Sequence, residues 1–222
     1  MKASLNGNAL KIIAMITMLC DHFGMIFFPY IDIFRIIGRI SFPIYAFLIA
    51  EGCKYTHNRK KYFLQIFILG LICSIVFIIA ERYVYLCVLI TFSMSILLIY
   101  LLDYVKDNPK KRFLLLIVGL VISYEICNLV EVDYGFVGVL VPVMVYLTDN
   151  RVLKIVLFTI SLIFLSLINN NGVQIYCLIS VIFIILYNGQ RGKLNLKKFF
   201  YMFYPMHLAI LWGVAMLLDI NV

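Results

Sequence analysis

The chain has 222 residues, 64% of them apolar, 15% aromatic and 14% charged, with a mean hydropathy of +1.05. Soluble domains carry about 25% charged residues and about 45–50% apolar ones, so the composition excludes a soluble globular protein, a disordered chain and a disulfide-stapled secreted scaffold. The formal net charge of +8, from 19 Lys and Arg against 11 Asp and Glu, must then be read against membrane topology before nucleic acid.

What remains is an all-α, polytopic membrane bundle. A bilayer core needs about 20 apolar residues per helix. Cutting the chain at charged and Asn/Gly/Pro clusters predicts nine segments, over 9–30, 33–53, 62–80, 83–103, 113–131, 134–149, 152–169, 173–188 and 199–219. The sixth and eighth are short for a full crossing. Connections are tight and no internal repeat occurs, so residues 1–222 read as a single domain. The first segment does not read as a cleavable signal, because Asp21 and His22 interrupt it and no small-x-small site follows.

The basic residues set the orientation. With the N-terminus cytoplasmic, Lys2 and Lys11 lie inside, as do Lys54, Arg59, Lys60 and Lys61. So do Lys106, Lys110, Lys111, Arg112, Arg151 and Lys154, and finally Arg191, Lys193, Lys197 and Lys198. Sixteen of the 19 basic residues then face the cytoplasm, leaving Arg35, Arg39 and Arg82 toward the outer face. That asymmetry predicts nine crossings of the cell membrane, N-terminus inside. It also accounts for the charge through anionic headgroups, so membrane lipid is the expected partner and nucleic acid is not.

The six cysteines form no C-x-x-C pair or metal-ligand spacing and read as packing residues. No HExxH, GxSxG, P-loop or GxGxxG motif is present, and no metal is expected.

Ionisable groups inside a bilayer are costly, about 2.5–3.5 kcal/mol each on insertion scales, and mark function. Asp21 and His22 lie in the outer half of the first segment. Adjacent helical residues point about 100° apart, so one is expected to face a reaction and the other a structural partner. Arg35 and Arg39 share a face of the second segment. Arg35 suits snorkelling to outer headgroups; the deeper Arg39, in GRISFP, suits pairing with Asp21 or binding an anion. Pro43 in that run is expected to kink the helix beside a cavity. Glu125 falls in the outer half of the fifth segment, and His207 sits beside Pro205 in the ninth. A neutral imidazole is the natural general base near pH 7. At the inner face, Glu51, Lys54, His57, Arg59, Lys60 and Lys61 form one loop, a candidate holder of a nucleotide's phosphates.

Four stretches carry a family resemblance: LKIIAMITMLCDHFG (10–24), RIIGRISFPIYAFLIAEGCKYTHNRKKY (35–62), DYGFVGVLVPVMVY (133–146) and YNGQRGKLNLKKFFYMFYPMHLAILW (187–212). Together, in this order, they make the chain resemble the TraX family. The resemblance implies a membrane-embedded acetyltransferase using acetyl-CoA as donor. The family's DH pair falls on Asp21 and His22, the Arg of its GRIxFP run on Arg39, and its EG on Glu51. Its HTRN-like loop falls on His57–Arg59, and its FYPxH on His207. On this view His22 is the first choice for the general base and His207 the second. Asp21 or Glu125 orients the imidazole, and Arg39 stabilises the oxyanion or anchors Asp21. Glu51, Lys54, His57, Arg59 and Lys60 frame the CoA site.

The acceptor stays open between a pilin-like peptide amine, a lipid and a glycan hydroxyl. Two other classes remain. Intramembrane Asp, His, Arg and Glu also build proton- or ion-coupled transporters, although no repeat symmetry supports this. A non-enzymatic assembly factor is the third reading, and it requires no histidine inside the bilayer.

Overall fold

The computed structural model describes residues 4–81, 83–104, 108–169, 172–193 and 197–219. Lys2, Arg82 and Lys106 lie outside the described residues, as do the side chains of Lys197 and Lys198.

Helix α1 (Gly7–Phe27) starts where the Asn6 side chain accepts from the Ala9 N–H, an N-cap that satisfies one of the first-turn donors. Helices α2 (Asp32–Gly38) and α3 (Ser41–Tyr55) together make the second span. The expected kink at Pro43 is displaced. The break falls at Arg39–Ile40, and Pro43 occupies the first turn of α3, where its missing N–H has no intrahelical partner to lose. Helix α4 covers Arg59–Glu81. The predicted fourth span loses its first residues to a short strand, β1 (Tyr85–Leu86), which pairs in parallel with β2 (Glu131–Val132). Helices α5 (Val88–Tyr104), α6 (Pro109–Leu129), α7 (Gly135–Tyr146) and α8 (Arg151–Ile168) follow. Asn108 and Asn150 cap α6 and α8. A 3₁₀ turn (Gln174–Ile179) runs into α9 (Ser180–Ile185), and α10 (Lys197–Leu217) closes the chain.

Each predicted segment meets a helix, but the helices are not alike. Among the described residues, six spans are long and apolar enough to cross a membrane, while Val88–Tyr104, Gly135–Tyr146 and Gln174–Ile185 are shorter. Burial explains why short helices suffice. Almost every residue of α5 and α7 faces protein, so these two need not match the bilayer at both ends. Small polar side chains bring them together. Ser95 Oγ donates to the Val139 carbonyl at 2.7 Å, and Thr91 Oγ1 to the Asp133 carbonyl at 2.7 Å. Helix α6 is the opposite case, with Ser123 its one fully buried residue among those described.

The helices run antiparallel between two distinct ends. At the basic end, Leu5 pairs with Tyr187, and the Gly7 N–H donates to the Gln190 carbonyl at 2.7 Å. Lys154 pairs with Glu51 at 2.8 Å, Lys54 with Asp149 and Arg59 with Asp103. At the opposite end, the Tyr83 hydroxyl donates to Glu131 at 2.6 Å, and the Asp133 N–H to the Leu86 carbonyl at 2.9 Å. The six cysteines are free, four of them buried.

Candidate active site

Helix α1 packs against both α2 and α10, and this brings His22 to His207. The His22 Nδ1 lies 3.0 Å from the Met18 carbonyl oxygen, one turn back on α1. The His207 Nδ1 lies 2.9 Å from the Phe203 carbonyl in the same relation on α10. Carbonyls only accept, so each Nδ1 carries the proton. His207 Nε2 is then an acceptor, and it lies 3.1 Å from His22 Nδ1. The His22 N–H is shared between Met18 and His207, which leaves a lone pair on His22 Nε2. His207 is held in turn by a stack on Phe203 (centroids 4.9 Å apart) and an edge contact with Tyr204 (5.5 Å).

His22 forms part of the wall of a cavity of about 240 Å³, together with Asp21, Arg35, Arg39, Tyr85, Asp133 and Tyr134. His207 is 4% exposed and stands behind His22 rather than in the cavity wall. Asp21 and His22, expected to address different surroundings, both line this one space. The cavity meets α1 broadside, so residues about 100° apart reach its two edges.

Arg35 takes the partner expected for Arg39. Arg35, expected at the headgroups, pairs with Asp21 at 3.1 Å. Arg39 is 7% exposed and donates from Nη1 to Gln174 Oε1 at 3.2 Å. Its guanidinium also reaches the Tyr134 side chain, and its Nε has no hydrogen-bond partner among the described residues. Close approach of α1 and α2 makes this possible. A Cβ on Gly38 would fall 2.1 Å from Asp21 Oδ1, and one on Gly24 would fall 2.2 Å from the Phe34 Cβ. Only glycine leaves room at either crossing.

The far wall comes from the turn between α6 and α7. Tyr134 has φ 61°, the left-handed region, and Gly135 follows at φ 56°. A tyrosine held there stores strain of about 1–3 kcal/mol, and it is held by its ring, stacked on Phe42 with centroids 3.8 Å apart. The preceding Asp133 lies outside the spanning helices. Burial pushes its carboxyl up to about 6, against the opposing pull of a hydrogen bond from Tyr85 and the nearby Arg39 charge.

Glu125 is not brought to this site. It lies exposed on α6, whose single buried stripe faces away from it. Asp133, Tyr134, Tyr85 and Gln174 are residues that sequence reasoning passed over. For the first two a signal existed, because the DYG turn opens one of the stretches that carries the family resemblance.

A second cavity, of about 640 Å³, reaches up from the basic end. Of the loop residues expected around a donor, Glu51 and His57 line it. Lys54 and Arg59 do not, being drawn into pairs with Asp149 and Asp103. Lys60 lies on a separate apolar groove. Lys11 and Arg191 join the lining instead. By sequence alone both belong only to the basic excess of the inner face. Lys11 Nζ sits 5.4 Å from the centre of the Phe200 ring. Tyr45, Phe92 and Tyr204 line both cavities and form their common wall.

The probable fimbrial assembly protein FimC, serogroup H1, of Dichelobacter nodosus is 23% identical, over 95% of this chain and 96% of its own length. No solved structure matches this one. The family model described as TraX protein matches residues 6–215, and the chain therefore belongs to the TraX family.

Proposed function

We propose that this protein is a membrane-embedded acyltransferase that moves an acetyl group from acetyl-CoA to an amine of a fimbrial or pilin-like polypeptide. The observation that carries the reading is the pair of cavities divided by Tyr45, Phe92 and Tyr204, one reaching from the basic end and the other holding His22. The basic end is the cytoplasmic one by its Lys and Arg excess. The donor's phosphates rest there among Lys11, His57 and Arg191, and its thin pantetheine arm runs inward. The acceptor reaches His22 from the opposite end, past Asp133 and Arg35. The chain crosses the cell membrane nine times, the short buried helices included. The acceptor class is supported by the relative's name, a fimbrial assembly protein, and by the family.

In the reaction, the acceptor nitrogen attacks the thioester carbonyl carbon. A C–N bond forms, and the amine proton passes to His22 Nε2. The resulting imidazolium is stabilised through its Nδ1–H by the Met18 carbonyl and His207 Nε2. Charge on the carbonyl oxygen is met by the Arg39 guanidinium, whose Nε–H is available. When the adduct collapses, the C–S bond breaks, the carbonyl re-forms, and the proton on His22 Nε2 goes to the departing thiolate. The histidine ends as it began.

The test uses purified protein in detergent, radiolabelled acetyl-CoA and a short peptide with a free α-amine. Wild type transfers label to the peptide. His22→Ala lowers the rate by about 10²–10⁴, the range of general-base catalysis, while acetyl-CoA still raises its thermal stability. A folded wild type that neither binds acetyl-CoA nor labels the peptide overturns the reading. That result would favour the second one, a non-catalytic assembly factor, which the relative's name also supports.

A further inference from the structure

We infer that the groove between α4 and α10 binds an anionic phospholipid, with its phosphate on Lys60 and Lys61 and one acyl chain along Leu64, Ile68 and Ile72. The site is separate from the two cavities of the reaction and independent of the acyltransferase reading. The groove has a volume of about 620 Å³ and an almost wholly apolar lining, and α10 closes its second side with Tyr201 and Met202.

Three observations point to this occupant. The first is register: Lys60, Leu64, Ile68 and Ile72 recur every four residues and so form one ridge of α4. The second is length. From Lys60 to Ile72 the helix rises about 18 Å, close to the roughly 15 Å of one leaflet's hydrocarbon. The groove ends there, although α4 runs on to Glu81. The third is charge. Both lysines sit at the basic end of the groove, exposed, and no ion pair engages either among the described residues. Leu64, Ile68 and Ile72 are 39%, 52% and 47% exposed, which leaves them open to an acyl chain.

An apolar groove alone selects no lipid, because acyl chains are as apolar as leucine. Selection comes from the headgroup, and two lysines near a phosphate favour an anionic lipid over a zwitterionic one on the order of tenfold. Leu69 and Tyr201 line both this groove and the larger cavity, so the lipid also packs against the outside of that cavity's wall.

The experiment is native mass spectrometry of the full chain, delipidated in a neutral detergent and titrated with phosphatidylglycerol or phosphatidylcholine. One phosphatidylglycerol is retained, about tenfold more tightly than phosphatidylcholine. Lys60→Gln with Lys61→Gln removes that preference. Lys110→Gln with Lys111→Gln, at the same end of the bundle but outside the groove, keeps it. Ile68→Trp fills the groove and displaces the lipid with both lysines intact, and thermal unfolding verifies that each variant is folded. Equal retention of the two lipids by wild type overturns the proposal. So does a preference that survives the Lys60 and Lys61 substitutions, or one that is lost equally at Lys110 and Lys111. Displacement of the lipid by millimolar glycerol phosphate would make this a phosphate site and overturn it too.

Discussion

His207 Nε2 stands 3.1 Å from His22 Nδ1, although 185 residues separate them, and two helix carbonyls hold both rings in one tautomer. The arrangement does for an imidazole what a carboxylate does in a catalytic triad, without placing a second charge in the membrane. His207 is thus a positioning residue. His207→Leu removes one of the two acceptors for the His22 N–H, leaving only the Met18 carbonyl, and is expected to lower kcat by about 10- to 100-fold with little change in KM. His207→Gln restores an acceptor and recovers much of the rate. Steady-state kinetics on the two variants distinguish this from a packing role, in which leucine would serve as well as glutamine.

Gly38 fixes how α2 meets α1. Its missing Cβ is the space that Asp21 occupies. Gly38→Ala must push Asp21 off Arg35, and a destabilisation of about 1–3 kcal/mol is expected, with loss of transfer activity. Gly213→Ala is the matched control, since nothing lies within 4 Å of a Cβ there. It should be neutral or stabilising by up to about 1 kcal/mol. Thermal unfolding of both variants in the same detergent makes the comparison.

Asp133 makes stability depend on pH in an unusual direction for a carboxylate. Its native value of about 6 lies above its ordinary 3.8. Between these values the native state holds a proton that the unfolded chain has released, so stability falls as pH rises through about 4 to 6 and levels off above. The full span corresponds to at most about 3 kcal/mol. Asp133→Asn is permanently neutral and should lose this slope. Melting temperatures from pH 4 to 7 for the two proteins would show parallel curves if Asp133 were not buried as described.

Lys11 and Arg191 line the larger cavity, while Lys54 and Arg59 are drawn into ion pairs with Asp149 and Asp103. Neutralising either Lys11 or Arg191 to Gln is expected to weaken acetyl-CoA binding about tenfold, the worth of one charge-assisted hydrogen bond. Lys54→Gln should leave it within about twofold, because an exposed ion pair contributes little. Equal losses at all three positions would point to general electrostatic attraction rather than a built site.

Hydropathy made the helices legible, and Asp21, the arginines, Pro43 and the intramembrane histidines were visible as oddities in apolar runs. Which oddities meet was not. Arg35 and Arg39 share a face by periodicity, but only the position of Asp21 decides which of them pairs, and that depends on Gly38 letting α1 close in. His22 and His207 looked like rivals because periodicity assigns faces within a helix and says nothing of contacts between distant ones. Glu125 was misplaced for the same reason. An acidic residue in an apolar helix is expected to face the bundle, yet α6 lies at the rim, where an exposed position near its end is tolerated. The shortness of α7 was legible in its segment, 134–149, whereas that of α5 was not, because it follows from a central burial that no local window contains.

The size of the reaction chamber limits the acyl group. At about 30 Å³ per water, a cavity of about 240 Å³ has room for roughly eight waters. The thioester sulfur, an acetyl group and the acceptor's aminomethyl take up a large share of it. The wall toward the larger cavity is stiff, because Phe92 stacks on Phe42 at 5.6 Å and Phe42 on Tyr134 at 3.8 Å. A ring so packed leaves room for the donor's thin arm to pass and little beside it for a longer acyl chain. Acetyl-CoA is therefore expected to be used at least 10-fold better than hexanoyl-CoA by wild type. Phe92→Ala opens the wall by most of an aromatic ring and should narrow that ratio several-fold. Phe158→Ala, which removes a buried ring outside both cavities, should leave the ratio unchanged even where it lowers stability. Competition between acyl-CoAs for the labelled donor reads the ratio directly. Equal use of the two donors by wild type would mean that the chamber opens during turnover and that its resting volume does not set specificity.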